Sequence, residues 1–340
     1  MKFFEPVISK LSSQWNAKSF QDWYKTKKQF SRLAYGFFLA SLITGLCFAI
    51  LYPLVKVLPV VFCDLQDLGN PDVIWIPMKR SVTSFRAAIR LIYGNGMGML
   101  KTLGYSAIIM LINIFVCSMT GYALGRVRFK LSSIAFFLVI LTFLVPPQSL
   151  LISQYLHFKH FDIFGLIKAF TGDTTDLINK PYTLFIIAFL GFGVKESLFV
   201  FILRQFYKGM PTELEEAALI DGCGFHRTYY SIMLPNAVPA IVTVAVLSFV
   251  WNYGDTYYTG YFHPDGPYVS NTLTRAFNPS NQNTVLRALS TWYNMPGVTT
   301  FAFDAVKQAA VLLYLIPLLV VYFLIQKKLV DNFERSGIVG

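Results

Sequence analysis

The sequence is poor in charged residues and in the residues that build metal or catalytic sites. Of its 340 residues 14% are charged, whereas a soluble domain usually carries about 25%. It has four cysteines and four histidines, and no C-x-x-C pair. The scattered cysteines imply neither a disulfide framework nor a bound metal. Gly94, Gly96 and Gly98 lack the preceding strand and the following Gly-Lys-Ser/Thr of a phosphate loop, so we expect no nucleotide site on this chain.

Long apolar runs are abundant instead. Hydrophobic residues make up 55% of the chain, and five runs carry no charge: Leu33–Val55, Thr102–Gly125, Leu131–Phe158, Thr228–Gly254 and Gln308–Gln326. A sixth run, Pro181–Leu203, is interrupted by Lys195 and Glu196. Each can supply the roughly 20 residues that cross a bilayer. The runs predict an all-α membrane protein with six transmembrane helices, at about 33–55, 102–125, 131–156, 182–205, 236–254 and 307–326.

The basic residues indicate an orientation. About thirty polar and aromatic residues precede the first run, which differs from a cleavable signal peptide, so we expect that run to remain as an anchor. With the arm 1–32 and the tail 327–340 inside, the inner segments carry 16 Lys and Arg and the outer segments 12. This bias has the sign expected for cytoplasmic loops. The segment 255–304 is then an ordered lobe outside the membrane.

The inner segment 206–235 has helix start and stop signals of its own. Thr212 followed by Glu215 has the spacing of a capping box, and acidic residues near the start favour the positive end of a helix. Gly222 is placed to end this helix in a left-handed conformation. A second helix is predicted from Phe225 to about Leu234. The segment is therefore expected to be a pair of short helices that meet at a glycine.

The order Glu216-Ala217-Ala218, Gly222, Ile232 and Leu234-Pro235 resembles the EAA motif of the membrane subunits of bacterial ABC importers. Residues 203–211, 221–224, 122–129 and 336–340 resemble the carbohydrate branch, similar to the maltose-type permease. The resemblance covers roughly residues 100–340. It implies a type I importer permease whose cytoplasmic coupling loop docks on an ATPase subunit. The coupling residues it implies are Glu215, Glu216, Ala217, Ala218, Asp221, Gly222, Leu234 and Pro235.

The same resemblance implies partners and a location. It implies a second permease subunit in a heterodimer, two ATPase subunits, an extracytoplasmic solute-binding protein and surrounding lipid, with no nucleic acid. ATP and Mg²⁺ would be held by the ATPase subunits, and this chain would bind no cofactor and catalyse no reaction. The location implied is the bacterial cytoplasmic membrane, with several spans and the N-terminus inside. The expected substrates are oligosaccharides, including acidic ones.

Two sets of residues are candidates for the substrate pathway. Lys195 and Glu196 fall within the predicted fourth span, where charges normally face a cavity or a partner. They form a structural contact with the neighbouring subunit, or a pathway site in which Lys195 meets an acidic sugar, or they show that the bounds of this span are misplaced. Trp251, Tyr253 and Tyr257 suit sugar stacking, but they equally suit an interfacial belt or packing.

Other functions remain open at this stage. The same architecture could import a non-sugar solute such as a peptide. His157, His160 and Asp162 could be read as the metal site of an intramembrane enzyme, although their spacing is poor evidence. A passive channel is a third class, which the coupling loop disfavours. Stoichiometric ATPase subunits on purification would favour the importer, whereas bound metal and turnover without them would favour the enzyme.

Overall fold

The computed structural model describes residues 5–65, 67–68, 79–93, 97–127, 129–162, 165–293 and 299–337. Within these ranges every regular element is helical, and the extended pairings are two isolated bridges, Cys63 with Arg80 and Phe161 with Thr175. Gly94 and Gly96 lie outside the described residues. The all-α prediction is confirmed.

The helices follow one another with short connections. The first half contains α1 (Glu5–Val61), α2 (Thr83–Tyr93), α3 (Gly98–Arg126), α4 (Ser132–Leu144), α5 (Pro147–Lys159), α6 (Leu166–Thr171), α7 (Pro181–Phe189) and α8 (Glu196–Gly209). The second half contains α9 (Glu213–Ile220), α10 (Phe225–Thr228), a π-helical turn (Tyr229–Met233), α11 (Leu234–Asn236), α12 (Val238–Tyr253), α13 (Tyr258–Phe262), α14 (Val269–Ala276), a 3₁₀ turn (Pro279–Asn281), α15 (Gln282–Tyr293) and α16 (Thr300–Gly337).

The described residues do not contain the six uninterrupted spans that the sequence predicts. Three stretches are long and apolar enough to cross a bilayer: Lys28–Val61, Gly98–Arg126 and Thr300–Lys327. Two more spans are possible if α4 with α5, bent by 102°, and α10–α11 with α12, bent by 75°, each count as one. The predicted fourth span, 182–205, is divided into α7 and α8 by residues 190–195.

Proline and left-handed residues explain the breaks. Val145 is extended (φ −75°, ψ 123°), as a residue before proline tends to be, and Pro146 is extended as well. The α7–α8 connection contains two residues with positive φ, Gly191 (82°) and Lys195 (59°). A helix cannot continue through such residues.

Helix α3 lies at the centre of the packing and contacts α7, α8 and α12. Two of its glycines face α8 closely: a Cβ on Gly121 would lie 3.0 Å from the Arg204 backbone nitrogen, and one on Gly125 would lie 3.2 Å from the Arg204 carbonyl oxygen. The core between α3, α8 and α12 includes the buried side chains Phe199, Leu203 and Tyr207. These contacts make α3 and α8 one tightly packed pair.

The segment 255–304 forms α13, α14, α15 and the start of α16 within its described part. These helices pack against α7, α2 and α16. They contribute to a second core that includes Val269, Leu289 and Val306. The described part of this segment is therefore helical and packed, and its place outside the membrane stays a prediction.

Candidate functional site: the coupling hairpin and a cavity at the helix breaks

The first helix of the coupling hairpin, defined here as residues 212–235, is α9. It begins at Glu213 and ends at Ile220, and Gly222 follows with φ +77°. The glycine therefore adopts the left-handed conformation that its position predicts. The predicted capping box is wrong: the Thr212 side chain makes no cap hydrogen bond, because Thr212 is itself helical (φ −70°, ψ −26°). The Glu215 N–H bonds the Thr212 carbonyl oxygen instead, at 3.0 Å.

The second half of the hairpin differs from the single helix predicted. It starts at Phe225 as expected but changes to a π-helical turn at Tyr229 and returns to α-helix at Leu234. A second bend follows at Ala237, where α12 begins. Pro235 and Pro239 lack the N–H groups that an uninterrupted α-helix would use, which favours a change of hydrogen-bonding pattern here.

The outward face of α9 is unusually apolar for an exposed surface. Glu216, Ala217 and Asp221 are exposed, whereas Ala218 is buried. Two large aliphatic side chains next to them are left without cover: Leu219 is 62% and Ile220 86% exposed. A charged residue, a small residue and two bare aliphatic residues on one short helix form a surface suited to a protein partner.

The inward face of the hairpin is anchored in the membrane helices. The Tyr229 hydroxyl donates to the Ser118 hydroxyl at 2.8 Å, and Ser118 shares a 2.7 Å hydrogen bond with the Tyr207 hydroxyl. All three side chains are buried. Leu234 packs against the same core, and Pro235 is exposed. The π-helical turn is therefore bonded to α3, and through Ser118 to α8.

A cavity of about 430 Å³ lies where three helix breaks meet. Its walls are the α4–α5 bend at 143–148, Val194 and Lys195 between α7 and α8, and the start of α13. It contains aromatic, amide and charged groups, among them Tyr257, Tyr258 and Gln148. A concave site with a few polar groups among apolar ones is the usual form of a small-molecule site.

Lys195 and Glu196 are not in the middle of a helix, contrary to the sequence prediction. Lys195 is the left-handed residue that precedes α8, and Glu196 is its first helical residue. The Lys195 ammonium lies 5.6 Å from the centre of the Phe143 ring and forms no ion pair within the described residues. Glu196 is 2% exposed, and neither of its carboxyl oxygens has a well-aligned hydrogen bond to the described residues. Its carboxylate lies against Gly193, where a Cβ would come within 2.2 Å of it.

Asp255 also lines the cavity, but its carboxylate accepts hydrogen bonds from backbone N–H groups. Oδ1 accepts the N–H groups of Tyr257 and Tyr258 at 3.2 Å each, and Oδ2 accepts the Thr259 N–H at 2.8 Å. These bonds cap the start of α13. Lys195 is therefore the charged group of the cavity wall that has no polar partner in the described structure.

The three aromatic candidates fall into different environments. The Tyr257 side chain lines the cavity, and its buried hydroxyl has no hydrogen-bond partner in the described residues. Trp251 stacks on Phe199 with centroids 5.7 Å apart. Tyr253 is fully buried and donates to the Tyr314 carbonyl oxygen at 2.8 Å. Trp251 and Tyr253 thus pack in the protein core, while Tyr257 belongs to the cavity.

The residues read as a possible metal site do not converge. The His157 ring packs edge-on against Phe158 and Phe161. The Asp162 carboxylate accepts the Ile167 and Lys168 N–H groups near the start of α6. Among the described residues no group of three His, Cys, Asp or Glu side chains is arranged to hold a metal.

The sequence did not reveal the role of Arg126, which was noted only as part of the segment 122–129 that resembles the carbohydrate branch. In the structure its guanidinium contacts the end of α8, the α8–α9 connection and α9. The signal that could have found it is its position at the last turn of an apolar helix, one residue after a close-packing glycine.

Comparison with known proteins gives one family. The family model described as "Binding-protein-dependent transport system inner membrane component" matches residues 117–335. The chain is 38% identical over 147 residues to the probable starch degradation products transport system permease protein AmyC of Thermoanaerobacterium thermosulfurigenes, covering 43% of this chain and 47% of that one. The match thus spans about half the length of this relative.

A longer match is weaker in identity. The polygalacturonan/rhamnogalacturonan transport system permease protein YtcP of Bacillus subtilis is 24% identical over 317 residues, covering 92% of this chain and 97% of the relative. Among solved structures, a chain of a bacterial ABC transporter involved in the import of the acidic polysaccharide alginate superposes with a TM-score of 0.64. It is 16% identical and covers 87% of this chain and 97% of its own, so the likeness concerns the fold.

Proposed function

The chain belongs to the family of binding-protein-dependent transport system inner membrane components, and on that premise we propose that it is a permease subunit of an ATP-driven oligosaccharide importer. The observation that carries the proposal is the outward face of α9, where Glu216 and Ala217 stand beside the bare Leu219 and Ile220. A hydrophobic face on a short helix outside the apolar spans is stable when a partner covers it.

The partner that fits this face is an ATPase subunit. ATP binding would close two ATPase subunits and move the two docked α9 helices, and the membrane helices would then change the side to which the pathway opens. This chain supplies the lever and the pathway walls, and the ATPase supplies the hydrolysis. A second, different permease and an extracytoplasmic binding protein would complete the assembly. This mechanism assigns no role to His157, His160 or Asp162.

Oligosaccharides are the proposed substrates for two reasons. The names of the relatives refer to starch degradation products and to polygalacturonan and rhamnogalacturonan. The cavity at the helix breaks has the tyrosine rings and the amide that sugars use for stacking and hydrogen bonding. A peptide importer would need a cation for the peptide carboxylate and an anion for the peptide amino group. The cavity offers the Lys195 ammonium, but the Asp255 carboxylate is already bonded to backbone N–H groups.

Acidic oligosaccharides are the finer proposal. Lys195 reaches the cavity without a polar partner, while the Asp255 carboxylate is occupied by three N–H groups. A uronate carboxylate could therefore pair with Lys195. The name of one relative refers to polygalacturonan and rhamnogalacturonan, and the transporter of the similar structure is involved in the import of the acidic polysaccharide alginate, which supports the same choice.

The test is ATP hydrolysis by the complete complex in lipid vesicles. Purified binding protein is added with a panel of neutral and uronate-containing oligosaccharides. We expect hydrolysis to rise with the binding protein carrying its sugar, and most strongly with a uronate oligosaccharide. Purification of the chain without stoichiometric ATPase subunits, or stimulation by peptides alone, would contradict the proposal.

A further inference from the structure

The connection between α8 and α9 is short, and no side chain caps the start of α9. α8 ends at Gly209 and α9 starts at Glu213, so three residues join a membrane helix to the hairpin. Met210 is extended (φ −69°, ψ 149°), and the Thr212 side chain does not cap α9. Without a further contact, α9 would be able to bend relative to α8 at this connection.

Arg126, the last residue of α3, contacts both sides of that connection. Its Nε donates to the Tyr207 carbonyl oxygen at 2.7 Å, and its Nη2 donates to the Met210 carbonyl oxygen and, at 3.4 Å, to that of Pro211. Its Nε also lies 3.8 Å from Oε1 of Glu215 on α9. The Arg126 side chain is 7% exposed, so most of the guanidinium is shielded from solvent.

The chemistry suits a guanidinium in particular. The last carbonyl groups of a helix have no partner within the helix, and a cation is favoured at that end. A guanidinium has five N–H donors in a fixed plane, so one side chain can serve several carbonyl oxygens. The Glu215 Oε1 atom is buried and makes no hydrogen bond in the described structure, so Arg126 is the charge that faces it.

Arg126 is itself held firmly. Gly121 and Gly125 bring α3 against α8 at contact distance, and the Arg204 Nε donates back to the Leu124 carbonyl oxygen at 3.1 Å. The Arg204 guanidinium lies 3.5 Å from the centre of the Phe136 ring, which ties α4 to the same place. Arg126 therefore projects from a tightly packed pair of helices onto the three-residue connection.

We propose that Arg126 is a positioning residue that locks the α8–α9 connection, so that movement of α9 is passed to α3 and α8 instead of bending the connection. This inference rests on the proposed function, because it needs an ATPase that moves α9. Without Arg126 the outward face of α9 is intact and the ATPase subunits still bind and hydrolyse ATP. The movement of α9 then bends residues 210–212 and does not reach α3 and α8.

The test is the number of sugar molecules taken up per ATP hydrolysed, measured with the complete complex in lipid vesicles. Arg126→Gln removes both the positive charge and the planar set of guanidinium donors, whereas Arg126→Lys keeps the positive charge alone. Glu215→Gln removes the carboxylate that faces Arg126. The matched control is Lys130→Gln, because Lys130 lines one crevice together with Arg126 and Glu215 and has no hydrogen bond or ion pair in the described residues.

We expect Arg126→Gln to lower uptake per ATP about tenfold, the equivalent of one charge-assisted hydrogen bond, while hydrolysis stays within about twofold. Arg126→Lys should recover part of the ratio, Glu215→Gln should lower it less, and Lys130→Gln should leave it unchanged. A purely structural role would reduce the amount of assembled complex but leave the ratio of the surviving complexes unchanged.

The outcomes separate the two proposals. If the wild-type complex shows no hydrolysis that depends on the binding protein, the proposed function fails. If the wild type is coupled and Arg126→Gln keeps the wild-type ratio, the locking role of Arg126 is wrong and the proposed function stands. Equal loss of the ratio in Arg126→Gln and Lys130→Gln would also overturn the locking role, since only the crevice charge would then matter.

Discussion

The coupling hairpin and the cavity at the helix breaks are built in opposite ways. The hairpin is one continuous segment, 212–235, whose helix, glycine and prolines follow each other in the sequence. The cavity is assembled from residues 143–148, 194–195 and 255–258, which meet because three helices stop at the same place. The proposed docking surface is therefore determined by one short stretch of sequence, whereas the proposed ligand site depends on long-range packing.

The largest expected effect falls on the hairpin. Gly222→Pro fixes φ near −65° at a position where the structure needs +77°, and it removes the Gly222 N–H that bonds the Leu219 carbonyl oxygen at 3.1 Å. We expect a cost of about 3 kcal/mol or more at this turn and loss of sugar uptake with the chain still in the membrane.

Gly224→Ala is the control for this prediction. Gly224 has a φ of −72°, which any residue adopts, and an added Cβ would meet nothing within 4 Å. Its uptake should match wild type. Normal uptake by Gly222→Pro would show that the turn geometry does not matter for coupling.

A large effect is also expected from a charge change on the outward face. Glu216→Lys places a cation where the proposed ATPase contact would carry an opposing basic residue. Because a like-charge contact at a protein interface costs several kcal/mol, we expect ATPase subunits to be lost from the purified complex. Glu213→Lys, also exposed on α9, should keep them. Equal retention by both variants would remove Glu216 from the docking surface.

The cavity should respond more gently and more selectively. Lys195→Gln removes its unpartnered cation but keeps the side-chain length close to the original. An exposed ion pair contributes about 1 kcal/mol, so the KM for a uronate oligosaccharide should rise about fivefold. The KM for a neutral oligosaccharide of the same length should stay the same. An equal rise for both would assign Lys195 to structure and not to substrate charge.

The smallest effect is expected at Trp251. Its partly buried ring stacks on Phe199 at the edge of the core, so Trp251→Phe keeps an aromatic pair and should lose about 1 kcal/mol of stability or less. The KM for sugar should remain within about twofold of wild type. A much larger rise in KM without a change in thermal stability would indicate that Trp251 touches the substrate.

The sequence predicted those features whose signals are local. The apolar runs led to α1, α3, α12 and α16, and Gly222 led to the left-handed turn after α9. The turn needs no distant contact, since an added Cβ at Gly222 would meet nothing within 4 Å and its backbone angle alone demands glycine.

The sequence failed where packing decides between alternatives. Thr212 and Glu215 have the spacing of a capping box, yet Thr212 is helical and Glu215 faces Arg126 from another helix. The run Pro181–Leu203 is apolar enough for one span, but it breaks before α8 because Gly191 and Lys195 are left-handed. Hydropathy cannot detect that break, and the cavity depends on it.

The docking of α9 on an ATPase is tested most directly by photocrosslinking from position 220 in the complete importer. Ile220 is 86% exposed on the hairpin, and Phe170, 88% exposed on α6 between the third and fourth predicted spans, is the matched control. With benzoylphenylalanine at each position in turn, we predict a crosslink to the ATPase subunit from position 220 and none from position 170. Crosslinks from position 220 to lipid alone, or equal ATPase capture from both positions, would contradict the docking of this hairpin.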